Sequence, residues 1–221
     1  MEYKRLTLLC GHYGSGKTNI AVNMALDLRR QYDSVAVADL DIVNPYFRTK
    51  DSAEDFKEAG IRLIVSQFAN TNLDLPSMPQ DLYAITDDRS MKVVLDIGGD
   101  DRGALALGRI APRIIEENDY DMLMVINKYR PLTPDAQSTL EVMREIEEAG
   151  KIRFTGIVNN SNLAEETTPE DVLASLGYAE EVSALSGLPV VMTTVKDSLY
   201  GSLRGKIDGL FPLTLQKKPI N

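Results

Sequence analysis

Between the apolar run Leu6 to Cys10 and a helical pattern stands Gly11-His12-Tyr13-Gly14-Ser15-Gly16-Lys17-Thr18, which fits the spacing G-x-x-x-x-G-K-[ST]. No other segment restricts the fold so strongly. Glycines here let the backbone turn its N–H groups inward around a phosphate, in conformations and at distances a side chain would block. Ile20, Met24 and Leu28 follow at four-residue spacing, so a helix opens directly from the loop and points its positive dipole end at the same place. Strand, glycine-rich turn and helix in that order predict a phosphate cradle. Gly11, Gly14, Ser15, Gly16, Lys17, Thr18 and Asn19 are its candidate nucleotide-binding residues. Lys17, a candidate catalytic residue, brings charge to β- and γ-phosphates, and Thr18 offers an oxygen ligand to Mg²⁺.

The remaining apolar runs fit the same plan. Val35 to Asp39, Ile61 to Val65, Val93 to Ile97, Met122 to Asn127, Ile152 to Asn159 and Pro189 to Thr193 are short and nearly continuous, as strands covered on both faces are. Helical patterns separate them. Thr133-Pro134-Asp135 places a cap and a proline at one helix start, with Gly150 at its end and Ala136, Leu140, Met143 and Ile146 on one face. Thr168-Pro169-Glu170-Asp171 repeats the start signal, and Gly177 is the expected stop. The alternation predicts an α/β, doubly wound, mostly parallel sheet with helices on both faces, in a single nucleotide-binding domain over residues 1–221. Ligands of such sheets gather beyond the carboxyl ends of the strands.

Charge and cysteine usage narrow the partners. A formal net charge of −9 opposes attraction to a phosphate backbone, so no direct nucleic-acid partner is expected. Cys10 is the only cysteine, which excludes an intramolecular disulfide or a thiolate-rich metal site held by this chain. A reducing cytoplasm fits, the first residues are too brief for a signal peptide, and no run reaches membrane-spanning length.

Acidic residues mark two strand ends. Asp39 and Asp41 emerge from the run that starts at Val35, and Asp96 closes Val93-Val94-Leu95 before Ile97-Gly98-Gly99. Mg²⁺ keeps several waters that need acceptors, so Asp96 is expected in the metal's outer shell and Asp39 is expected to support the metal or the attacking water. Asp41 is the candidate catalytic residue that orients that water. Gly98 and Gly99 would let the loop backbone approach and sense a γ-phosphate. The alternative role of these aspartates is to start turns or cap helices.

These residues together resemble the MinD/ParA-type ATPases, the deviant P-loop group that also includes CobQ and dethiobiotin-synthetase relatives. Val37 to Ile42 resembles the family's first switch segment, whose second aspartate faces the hydrolytic water, and Val94 to Gly99 resembles the second. Gly156-Ile157-Val158-Asn159-Asn160 resembles the strand whose asparagine contacts adenine, with Asn160 the better aligned of the two. The family's signature lysine, which reaches across a dimer, falls at His12, the only histidine. A neutral imidazole does not replace that fixed charge, and a protonated one would do so in part at lower pH. A homodimer is therefore one partner reading among others.

Asn127-Lys128-Tyr129-Arg130 has the outline of the guanine-recognising N-K-x-D pattern, but Arg130 stands where an acceptor is required and has no acceptor lone pair. ATP, bound as ATP or ADP, is thus expected over GTP, with Asn127 helping to hold the base edge. Tyr46, Phe47, Arg48 and Arg102 follow the two switches and suit contacts to a protein partner. Ser66 to Pro79 reads as a long loop at the site's edge. The leading expectation is a Mg²⁺-dependent ATPase that switches or assists a protein partner; the alternative is an ATP-dependent ligase or kinase acting on a small carboxylate. A membrane-positioning ATPase would need an amphipathic anchor near Leu203 to Lys218, a pattern that Pro212 interrupts.

Overall fold

The computed structural model describes residues 3–40, 53–65, 86–99 and 101–215, with the side chains of Val65, Asp101 and Arg102 excepted. Among these residues eight strands form one sheet: β1 (Leu6–Cys10), β2 (Val35–Leu40), β3 (Arg62–Val65), β4 (Lys92–Ile97), β5 (Tyr120–Ile126), β6 (Gly156–Asn159), β7 (Val190–Lys196) and β8 (Leu210–Leu213). Their order is β3-β2-β4-β1-β5-β6-β7-β8, and every pairing is parallel. Successive connections move outward from β1 in one direction as far as β3 and, after β4, in the other. The reversal leaves a crevice at the carboxyl end of β1, where this fold class binds ligands.

The sheet is covered on both sides, which is why its strands read as unbroken apolar runs. Along each strand alternate residues enter different cores. Leu9, Val35, Val37, Val94, Leu123, Val125 and Val158 pack with α1 (Lys17–Gln31) and with Phe56 of α2 (Ala53–Ala59). Leu8, Cys10, Ala38, Leu95, Met124 and Ile157 pack on the other side with α3 (Asp101–Glu117), α4 (Ala136–Gly150) and α5 (Pro169–Ser186). Leu203 at the end of α6 (Asp197–Leu203) joins Val172, Val195 and Ile207 in a small third cluster. The expected doubly wound architecture is present.

Helix ends differ from expectation in two places. Asp135, not Thr133, caps α4 by accepting from the Ser138 N–H; Thr133 is buried and donates its hydroxyl to the Asn127 carbonyl. Gly177 does not stop α5, which runs on to Ser186 and ends at Gly187, whose φ of 74° suits glycine. Nothing crowds Gly177, so the helix tolerates it. The α5 start is as expected, with Thr168 and Asp171 forming a reciprocal capping box behind Pro169.

The run Ile152 to Asn159 is strand only in its second half. Ile152 and Phe154 are buried but precede β6, which begins only at Gly156. The segment considered for a membrane anchor holds the end of α6, a turn and the edge strand β8, with Pro212 where an edge needs no ladder donor. Among the described residues no helix is long and apolar enough to cross a membrane.

Candidate nucleotide site

The loop from β1 to α1 is shaped by contacts that exclude side chains. Gly11 has φ 147° and a Cβ there would stand 2.4 Å from the Val125 carbonyl oxygen; at Gly16, with φ 93°, it would stand 2.2 Å from Asn160 Nδ2. Both positions need glycine for space and for conformation. Lys17 Nζ donates to the carbonyls of Gly11 at 2.9 Å and His12 at 3.2 Å, which lays the ammonium across the loop. Ser15 Oγ is buried and finds no hydrogen-bond partner among the described residues. A hydroxyl so placed costs about 1–3 kcal/mol unless a ligand oxygen completes it, as a phosphate in this loop would. Asn19, in the first turn of α1, accepts through its backbone carbonyl from Asn23 Nδ2 at 2.8 Å.

Beside the loop, Thr18 Oγ1 donates to Asp96 Oδ2 at 2.6 Å. Asp96 is 1% exposed and Asp39 7%, and the β2–β4 register pairs these two residues directly. A hydroxyl and two carboxylates form a hard oxygen set that suits Mg²⁺. Among the described residues no cluster of three or more His, Cys, Asp or Glu side chains forms, so an ion here would share its remaining positions with water and substrate oxygens. Asp41, the expected water-orienting residue, lies outside the described residues.

The end of β4 rests on the phosphate loop. A Cβ on Gly99 would come within 2.7 Å of both the Gly11 oxygen and the Tyr13 nitrogen, and one on Gly103 within 2.6 Å of the Gly98 oxygen. Loop, β4 tail and the first turn of α3 are therefore stacked backbone on backbone. His12 Nδ1 donates to the Tyr13 carbonyl at 2.9 Å, and Tyr13 is exposed. Cys10, just before the loop, is fully buried; burial foremost, with Asp96 adding, pushes its thiol up to about 12 against the opposing charge of Lys17. A thiol held this way is no nucleophile.

Three asparagines at the ends of β5 and β6 have different partners. Asn160 donates to the Ser15 carbonyl at 2.6 Å and accepts from Thr194 Oγ1 at 2.5 Å, so it grips the phosphate loop. Asn159 points the opposite way and donates to Ser175 of α5 at 2.9 Å. Asn127 is buried; its side-chain oxygen accepts from the N–H groups of Tyr129 and Asn162, joining the loops after β5 and β6. Thr194 and Asn162 carry no motif, and the sequence reading passed over them; the signal for Thr194 is a polar residue two positions beyond Met192 in an apolar strand. Asp100, the segments with Tyr46, Phe47 and Arg48 and with residues 66–79, and the Arg102 side chain lie outside what is described.

Residues 10–190 match the family model of the CobQ/CobB/MinD/ParA nucleotide binding domain. The chain belongs to that family. Nucleotide binding is thus a property of the domain family. No curated protein matches the chain. Among solved structures it is similar to FtsY from Mycoplasma mycoides, with a TM-score of 0.56 and 18% identity over 86% of this chain and 59% of that one. FtsY from Thermotoga maritima gives 0.52 and 19% over 87% and 62%. The signal recognition particle 54 kDa protein from Aeropyrum pernix, solved with GDP, gives 0.52 and 18% over 87% and 41%. The chain thus spans less than two thirds of each of these proteins, and at such identity the likeness is one of fold.

Proposed function

We propose that this CobQ/CobB/MinD/ParA-family chain is a Mg²⁺-dependent ATPase whose nucleotide state acts on a protein partner, in one nucleotide-binding domain. The observation that carries the reading is the Thr18–Asp96 hydrogen bond beside Lys17, with Asp39 in register, because it sets a metal-suited oxygen set against a phosphate cradle. Bound Mg²⁺ would be held by Thr18, directly, and by Asp96 and Asp39 through its waters, and it would neutralise charge developing on the phosphates. Lys17 moves from the loop carbonyls to the β- and γ-phosphates, the loop N–H groups hold the β-phosphate, and Asp41 orients water at the γ-phosphate. Asn127 and Asn160 are assigned to the base edge on resemblance alone.

The switch reading draws on the stacked glycines. A phosphate that shifts the loop presses Gly99 and, through Gly98, Gly103 at the start of α3, and contacts without side chains transmit such a shift without slack. Exposed Tyr13, Leu105 and Leu132 come from the loop, α3 and the connection after β5, and offer a partner apolar contacts. ATP is assigned over GTP because Arg130 offers no acceptor for the guanine N–H groups. The test is phosphate release with Mg²⁺, with GTP as competitor against a labelled ATP analogue. Slow ATP turnover, raised by a protein from native extract, supports the reading; equal competition by GTP removes the ATP assignment, and no turnover under any addition removes the ATPase.

A further inference from the structure

The connection after β5 holds Asn127, Lys128, Tyr129 and Arg130, and the first three are engaged in scaffolding. Lys128 Nζ donates to the Ala174 carbonyl at 3.2 Å and the Tyr129 hydroxyl to the Asp171 carbonyl at 2.9 Å, which ties the connection to α5. Asn127 closes the turn through its own carbonyl, which accepts from the Arg130 N–H at 3.1 Å, and the Arg130 carbonyl accepts from Thr133 N–H at 3.2 Å. The backbone on both sides of Arg130 is therefore pinned.

From that anchored position the guanidinium reaches the phosphate loop. A Cβ placed on Gly14 would lie 3.7 Å from Arg130 Cζ and Nε and 3.9 Å from Nη1, so the exposed guanidinium stands beside the loop at Gly14. None of the ion pairs among the described residues includes Arg130. The loop beside it already holds the Lys17 ammonium and leads into the α1 N-terminus. An exposed guanidinium at the edge of the loop, with no ion pair among the described residues, is placed to meet an anion entering the cradle, and its fork matches phosphate oxygens.

We propose that Arg130 is a phosphate-binding residue of this site, which acts in cis on the phosphate chain of a nucleoside polyphosphate and is indifferent to the base. The inference rests on the nucleotide-site reading above, and its test separates the two. Binding of ATP, GTP and inorganic tripolyphosphate is measured by calorimetry on the unmodified chain, Arg130→Ala, Arg130→Lys and Lys17→Ala, each checked for an unchanged melting temperature. Arg130→Ala is expected to weaken all three ligands by one common factor, about tenfold to a hundredfold, with Arg130→Lys recovering part of the loss. Unchanged binding by Arg130→Ala overturns the inference. So does a loss for ATP and GTP that spares tripolyphosphate, since the guanidinium would then meet base or sugar. If Lys17→Ala also binds all three normally, the nucleotide site itself is misplaced, whereas loss in Lys17→Ala alone leaves the site standing and removes only Arg130 from it.

Discussion

The two faces of the sheet share the same strands and end differently. On the α1 face the positions after the apolar centre are Asp39 after Val37, Asp96 after Val94, Asn127 after Val125, Asn160 after Val158 and Thr194 after Met192. On the opposite face the runs end apolar, at Leu40, Ile97 and Ile126, under α3 and α4. A strand's pleat turns neighbouring residues to opposite sides, so one position along the chain separates scaffold from site. Asn159 is the exception on the apolar face, and its amide is matched by the Ser175 hydroxyl. The lesson is that burial demands closed packing on one side right to the strand ends, while the side that opens to the crevice can end in groups that need a ligand.

The largest effect is expected at Lys17, whose ammonium lies across the loop. Lys17→Ala should lower ATP turnover at least about a hundredfold, because a positioned charge on the transferred phosphate is lost. Its fold should hold, with the melting temperature within about 4 °C, since the side chain's partners are two loop carbonyls. Phosphate release and a thermal melt on one preparation check both, and normal turnover in a folded variant breaks the division between the faces at its centre.

Next come Asp96 and Ile97, neighbours in the chain on opposite faces. Asp96→Ala should abolish the Mg²⁺ dependence of nucleotide binding, whereas Ile97→Ala should cost about 2–5 kcal/mol of unfolding free energy and leave nucleotide affinity in place. Denaturant unfolding and nucleotide titration with and without Mg²⁺ measure the exchange. If both variants lose stability and affinity alike, the pleat does not separate the two functions.

Much of this arrangement is legible in the sequence, and for identifiable reasons. Parallel strands covered on both faces must be apolar throughout, so the runs ending at Asp39 and Asp96 stand out, and the loop's glycines occur at the spacing a phosphate cradle needs. The partners that fix the site come from far along the chain and leave no local pattern. Asn160 meets Ser15 across 145 residues, and Thr194 reaches Asn160 from β7. Which of Asn159 and Asn160 faces the loop depends on strand register, which composition does not disclose. Arg130 reads as a missing acceptor from the motif alone, and only the fold shows it lying against Gly14. Helix ends depart from expectation where the packing around a glycine or proline outweighs that single residue, as at Gly177 and Thr133.

The asparagine pair offers a smaller contrast. Asn160→Ala removes the grip on the Ser15 carbonyl and should weaken nucleotide binding by about tenfold, the effect of one lost buried hydrogen bond passed to the loop. Asn159→Ala should leave binding unchanged and cost about 1–3 kcal/mol of stability, because the Ser175 hydroxyl loses a donor in a buried setting. Equal affinities for the two variants would mean that the grip on the loop is redundant.

The smallest effect, absent at neutral pH, lies one residue before the loop. Cys10 belongs to the apolar core beneath α3 and α4 while Gly11 next to it begins the cradle. Its thiol is raised to about 12, by burial first, against roughly 8.5 in an unfolded chain. A folded pKa above the unfolded one contributes stability that is complete below about pH 8.5 and declines as the pH climbs from there toward 12, because the unfolded chain releases the proton and the folded one keeps it. Over that window the unmodified chain should lose stability more steeply than Cys10→Ala, by up to about 1.4 kcal/mol per pH unit. The comparison is between slopes, so the cavity left by the alanine shifts the whole curve without altering the result. Native Cys10 should likewise resist alkylation at pH 8 and react fully once denaturant is added. Parallel slopes for the two proteins, or rapid alkylation of the native thiol, would show that the apolar side opens at the end of β1 as readily as the side that faces the phosphate loop.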